Sequence, residues 1–272
     1  QMCIRDRLDP ADCGPATIAI SQDVQGESFD YPEPFFEERV HEIRRIHPDP
    51  NQVKVAADKL KNSKQPIIIS GGGVLYSEAE EELSYFAKKH NIPVTATAMG
   101  IGCMTKDDPY YIGGIGGLGE KSANNLSKET DLALAIGTKL ADFTTGSWAN
   151  FESDNFQLVS LNAARFDTVK HLATPIVSDA KIGLQQLSEA LGDWKAPDNW
   201  YQKAIKERAD WEAHVQKQSG QTNQEEPSYA HAVGAVYRNA DPSDIVVTAA
   251  GGLVGEVVQV WKPKQINTFE TE

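Results

Sequence analysis

Cysteine is scarce in this sequence and nothing pairs it. Cys3, Cys13 and Cys103 are odd in number and widely spaced, with no C-x-x-C among them. That pattern excludes a disulfide framework and a cysteine zinc site, and it points to a reducing, cytoplasmic compartment. The six histidines are scattered, none at ligand spacing from a cysteine or another histidine, so no protein-ligated transition metal is expected. Positive charge is also short: 26 Lys and Arg face 39 Asp and Glu, for a formal net charge of -13. Such a balance argues against a nucleic-acid backbone or an anionic membrane surface as partner. No apolar run approaches the roughly 20 residues that span a bilayer. Residues 1–7 lack the apolar centre of a secretion signal, differ in character from the rest of the chain, and read as a non-native scar.

What is present is a globular composition, 40% hydrophobic and 24% charged, over 272 residues. That length suits one large domain or two ordinary ones. Regular alternation begins at Asn51. Val53, Val55, Ala56, Ala57 and Leu60 fit a helix, with Asp49 or Asn51 as its cap. Apolar strands are expected at 66–70, 92–97, 132–137, 156–162 and 174–177. Between and after them, helices are expected on the stripe Ala79, Leu83, Phe86 and Ala87 with Ser77 as cap, over 122–127, and through Ile182, Leu184, Leu187 and Leu191. Strands alternating with helices predict an α/β fold whose open parallel sheet is covered on both faces.

The flanks are less regular. Residues 15–20 form a nearly all-apolar run that reads as a buried strand, and 8–29 as the end of a preceding domain. Pro32, Pro34, Pro48 and Pro50 mark 30–50 as a linker. The central domain takes 51–192. A connector over 193–227 carries a charged helix with Trp200, Ala204, Arg208, Trp211 and Val215 along one face. Residues 228–272 read as the start of another α/β domain, with a helix over 228–239, a strand over 245–249 and a tight turn after it.

Ligands of open parallel sheets sit beyond the carboxyl ends of the strands. Four loops qualify there, at 71–73, 97–102, 137–146 and 250–255. They make Gly71, Gly72, Gly73, Gly100 and Gly137 candidates for a nucleotide loop, because glycine admits close backbone approach, although tight turns use it equally. Gly114-Ile115-Gly116-Gly117-Leu118-Gly119 matches G-x-G-x-x-G, but Asp107-Asp108-Pro109-Tyr110-Tyr111 before it reads as a loop, so the strand context of a dinucleotide fingerprint is missing. No G-x-S-x-G elbow and no Walker loop occurs, and no catalytic residue is assigned in the chain. Asp142 and Asp179 follow strands and read as capping or solvated carboxylates.

The string of segments as a whole resembles the thiamine-diphosphate enzymes of the acetohydroxyacid synthase type, built from pyrimidine-binding, central and diphosphate-binding α/β domains. Residues 14–25 look like the last strand of the first domain. Residues 66–74, 92–102, 108–119 and 131–146 look like the central domain. Within that superfamily, residues 21–25, Asp142-Phe143-Thr144-Thr145-Gly146-Ser147 and Thr248-Ala249-Ala250-Gly251-Gly252-Leu253 are similar to the ring-opening hydrolases of myo-inositol catabolism, although Val254 stands where that group has proline. Phe143 stands where synthases carry arginine, which counts against a flavin site and makes FAD or NAD in the central domain unexpected.

The resemblance implies thiamine diphosphate and Mg2+ as cofactors. It implies C–C cleavage of a cyclic diketone, 3D-(3,5/4)-trihydroxycyclohexane-1,2-dione, to 5-deoxy-glucuronate. It further implies a homodimer or homotetramer, with the cofactor-activating glutamate and the magnesium motif outside this chain. Of the cofactor contacts, Ala250, Gly251, Gly252 and Leu253 carry over, on the diphosphate side. A lyase or synthase acting on 2-oxo acids and a stand-alone NAD- or FAD-binding module remain the competing readings.

Overall fold

The computed structural model describes residues 7–271, so most of the expected N-terminal scar, residues 1–6, lies outside the described residues. In chain order the elements are α1 (Pro50–Asn62), β1 (Pro66–Ser70), α2 (Gly72–Tyr76), α3 (Glu80–His90), β2 (Val94–Ala96), β3 (Tyr111–Gly114), α4 (Lys121–Glu129), β4 (Leu132–Ile136) and α5 (Asp142–Thr145). They continue with β5 (Gln157–Asn162), α6 (Arg165–Thr168), β6 (Thr174–Val177), α7 (Ala180–Leu191), α8 (Asp198–Ser219), α9 (Tyr229–Asn239), β7 (Val246–Thr248), α10 (Gly252–Val260) and β8 (Phe269–Thr271). Strands β1 to β6 form one parallel sheet in the order β3-β2-β1-β4-β5-β6. The chain builds outward from β1 to β3, then returns to place β4 beside β1, so the direction of winding switches between those two strands.

Unbroken apolar strands are what a sheet covered on both faces requires. Ile68, Leu132, Leu134 and Ile136 point to one face, under α1, α3 and α7, with Val53, Leu60, Leu83, Phe86, Leu184 and Leu187. Ile67, Ile69, Ala133 and Ala135 point to the other and meet Ala123, Leu126, Trp200 and Ala204. Each fully buried aliphatic side chain contributes about 1.5–3 kcal/mol, so the isoleucines of β1 alone form a strong local core. Residues 198–219, expected within a connector, are therefore a cover for the second face. Trp200 is 2% exposed and donates its Nε1–H to the Pro66 carbonyl at 2.9 Å.

Several expectations change. The sheet has a sixth strand, β3, inside the stretch read as loop. Gly113 and Gly114 carry little strand propensity, and only pairing with β2 fixes this segment as a strand. The strand expected at 92–97 shortens to β2. Ser77 does not cap α3; its hydroxyl accepts from Ala180 N at 3.2 Å, tying that turn to α7. Residues 15–20 form no strand: Ile18 is 68% exposed and Ile20 57%, because no described strand lies beside them to satisfy their backbone. The proline-rich segment is exposed up to Arg45, which then docks. Arg45 pairs with Asp179 at 2.9 Å, and Ile46 O accepts from Asp179 N at 2.9 Å.

His90 ends α3 fully buried, with Nδ1 2.8 Å from the Trp194 carbonyl and Nε2 3.0 Å from Ser188 Oγ. Nδ1 must donate to that carbonyl, which leaves Nε2 to accept the serine proton in a neutral ring. Burial lowers its pKa from 6.5; the carbonyl bond opposes this, and Lys89 and Lys195 reinforce it. The folded state thus takes up the proton less readily than the unfolded chain, and stability present above pH 6.5 is lost as pH falls below it. Melts at pH 7.5 and 5.5 should show this loss, and His90→Gln should flatten it; an unchanged slope in the variant would refute the assignment.

Candidate functional site

The sequence candidates collect at the carboxyl ends of the strands. The turns after β1 and β4 meet at the switch point, where Gly73 N donates to Gly137 O at 2.9 Å. A Cβ on Gly71 would lie 2.5 Å from Gly137 O, one on Gly73 2.6 Å from Gly137 Cα, and one on Gly100 2.2 Å from Ser70 O. Protein backbone, not vacant space, faces these glycines. Gly72 is looser, its nearest neighbour being Met99 O at 3.2 Å from such a Cβ. The amides of Gly71, Gly73, Gly100 and Gly137 are committed to the carbonyls of Ile136, Gly137, Thr97 and Leu161. Beside them lies a cavity of 210 Å³ lined by Gly73, Gly137, Asn162, Arg45 and Asp179. Asp179 caps α7, accepting from Ile182 N, while Asp142 is exposed in the first turn of α5.

The G-x-G-x-x-G segment does stand between a strand and a helix, β3 and α4, so the context denied it on sequence is present. Its donors are nonetheless taken. Gly114 N donates to Glu120 Oε1 at 3.0 Å, Ile115 N to Ala96 O at 2.8 Å, Gly116 N to Asn124 Oδ1 at 2.9 Å and Gly117 N to Phe143 O at 2.7 Å. A phosphate at a glycine-rich turn needs free amides. Here the carboxylate of Glu120 occupies that place. No linear signal announces it, because Glu120 lies one residue beyond the motif.

The turn after β7 has the opposite character. Ala250, Gly251, Gly252 and Leu253 are all exposed, and a Cβ on Gly251 or Gly252 would meet nothing within 4 Å. Helix α10 opens at Gly252 with no side-chain cap, so its first amides point outward with a partial positive charge. A parallel strand running into an uncapped helix leaves backbone amides free to receive an anion. An open apolar groove of 1090 Å³, lined by Val236, Ile245, Val247, Leu253 and Val257, adjoins the turn.

Other chemistry is sparse. Burial first, and the Glu80 charge next, push the Cys103 thiol up to about 12, so it is no thiolate nucleophile near neutrality. No group of three or more His, Cys, Asp or Glu among the described residues could hold a metal ion. No described helix is long and apolar enough to cross a membrane.

Residues 53–187 match the family model described as thiamine pyrophosphate enzyme, central domain. Curated relatives named 3D-(3,5/4)-trihydroxycyclohexane-1,2-dione hydrolase include those of Geobacillus thermodenitrificans, 35% identical over 99% of this chain and 45% of the relative, and Clostridium tetani, 34% identical over 99% and 46%. The protein of that name from Halalkalibacterium halodurans is 36% identical over 97% of this chain and 45% of its own length. The chain thus spans about half the length of the curated relatives it matches. With its six-stranded parallel sheet and this match, the segment 53–187 belongs to the thiamine pyrophosphate enzyme family, as the family's central domain.

Proposed function

We propose that this chain is part of a thiamine-diphosphate- and Mg2+-dependent hydrolase of myo-inositol catabolism, which opens 3D-(3,5/4)-trihydroxycyclohexane-1,2-dione to 5-deoxy-glucuronate by cleaving a C–C bond. The observation that carries the reading is the exposed, uncapped start of α10 at Gly252, directly after a parallel strand, in a chain similar to hydrolases of that name. In this reading residues 8–29 and 228–272 belong to the two domains flanking the cofactor, and 51–192 is the central domain between them. Thiamine diphosphate supplies the electron sink for the carbanion released on C–C cleavage. The chain's own part is to hold the diphosphate on the backbone amides of 250–253. The activating glutamate and the magnesium motif come from elsewhere in the full-length protein, so the chain alone is inactive. A homodimer or homotetramer in the cytoplasm completes the proposal, the compartment being supported by free Cys13 and Cys103.

A polypeptide at the full length of the relatives should consume the diketone only when thiamine diphosphate and Mg2+ are both supplied. Gly252→Asp adds a carboxylate at the helix start, where a Cβ would meet nothing within 4 Å. It should weaken thiamine diphosphate binding at least tenfold by calorimetry without lowering the melting temperature, since an acidic side chain suits the first turn of a helix. Unaltered affinity would remove the turn from the cofactor site, and cofactor-independent turnover would sink the activity.

A further inference from the structure

We propose that Glu120 and Lys262 are positioning residues that clamp α10 to the glycine-rich loop of the large sheet, and so set where the turn 250–253 stands. The inference rests on the reading of that turn as the diphosphate seat. Glu120 is 2% exposed and immediately precedes α4. Its carboxylate does not cap that helix; it turns back and accepts from Gly114 N at 3.0 Å. The chain is built around it: Gly113 has φ +127, and a Cβ there would fall 2.6 Å from the carboxylate. The same oxygen, Glu120 Oε1, also pairs with Lys262, two residues past the end of α10. The Lys262 ammonium is buried, and this ion pair is its one polar contact among the described residues.

Apolar packing follows the same seam. A Cβ on Gly114 would meet Val258 Cγ1 at 3.6 Å, and one on Gly255 would meet Leu118 Cδ2 at 3.6 Å. The helix and the loop thus lie within van der Waals reach of each other at both positions. Among the described strands β7 pairs only with β8, and Val247 is 72% exposed. A buried ion pair adds little net stability compared with apolar residues of the same shape, but it fixes one relative placement of the parts it joins. Placement of α10 is what a diphosphate seat at its N-terminus requires.

The test compares amide hydrogen exchange of 252–260 with that of β4 in this chain. Lys262→Met, which keeps the aliphatic stem, should raise exchange of 252–260 at least tenfold and leave 132–136 unchanged, while Lys262→Arg stays within twofold of the parent. If Lys262→Met does not fold, Glu120→Gln retains the acceptor for Gly114 N and should give the same contrast. Equal exchange in variant and parent, or an equal rise across β4, overturns the clamp. In the full-length protein, Lys262→Met should raise the thiamine diphosphate Kd at least fivefold, with recovery in Lys262→Arg. A loosened helix with an unchanged Kd would leave the clamp standing and overturn the diphosphate reading of the turn.

Discussion

Gly137→Ala is expected to lower the unfolding free energy by about 2–5 kcal/mol, from a strained left-handed backbone and an overpacked contact combined. Gly137 has φ +59, and an added Cβ would stand 2.6 Å from Gly73 Cα and 2.7 Å from Gly73 C. Neither atom belongs to a flexible side chain, so the turns after β1 and β4 must separate at the switch point. Urea unfolding should show a lower midpoint with an unchanged slope. This prediction distinguishes two reasons for glycine at a strand end. At φ +59 the backbone strain alone costs about 1–2 kcal/mol. A glycine that merely admits a ligand loses no more than that when replaced, whereas one that admits the neighbouring chain loses more. A loss of no more than about 1–2 kcal/mol in Gly137→Ala would return this loop to the ligand reading.

Trp200→Ala should cost about 3–5 kcal/mol, the range for deleting a large buried aromatic side chain. Trp200 is the large side chain of α8 on the second face of the sheet, beside Ile67, Ile69, Ala133 and Leu158. Trp200→Phe separates its two contributions. It keeps much of the packing but leaves the Pro66 carbonyl without its indole donor, a loss of about 1–3 kcal/mol for a buried unsatisfied acceptor. A cost below about 1 kcal/mol for the alanine variant would mean that α8 is not anchored there, and that the second face is covered some other way.

The contrast between these residues shows where sequence reading succeeds. Ile67-Ile68-Ile69 and Leu132-Ala133-Leu134-Ala135-Ile136 are legible because a strand buried on both faces has no polar positions to place, and that composition is local. The caps Asp49 and Asp179 are legible for a similar reason, since a cap serves amides two or three residues away. Strand β3 was not legible, because Gly113 and Gly114 become strand only by pairing with β2. Trp200 could be placed on the apolar stripe of a charged helix, but the stripe does not name the face it will cover.

The candidate site divides in the same way. The turn 250–253 was readable from its residues and its place after an apolar strand, and the structure leaves it open and exposed. The glycines at 71, 73, 100 and 137 were equally readable as strand-end glycines. Their surroundings were not, because Gly73 meets Gly137 from a distant part of the chain and Gly100 meets Ser70 across the sheet. By itself the sequence determined the alternating α/β pattern, the parallel sheet and the kinship with thiamine-diphosphate enzymes, all properties of short segments and their order. Only the tertiary structure decided which glycine turn is filled by its own protein and which stays open. An amide is available to a ligand only if no distant carbonyl or carboxylate has already claimed it, and such claims, Glu120 on Gly114 among them, are made in three dimensions.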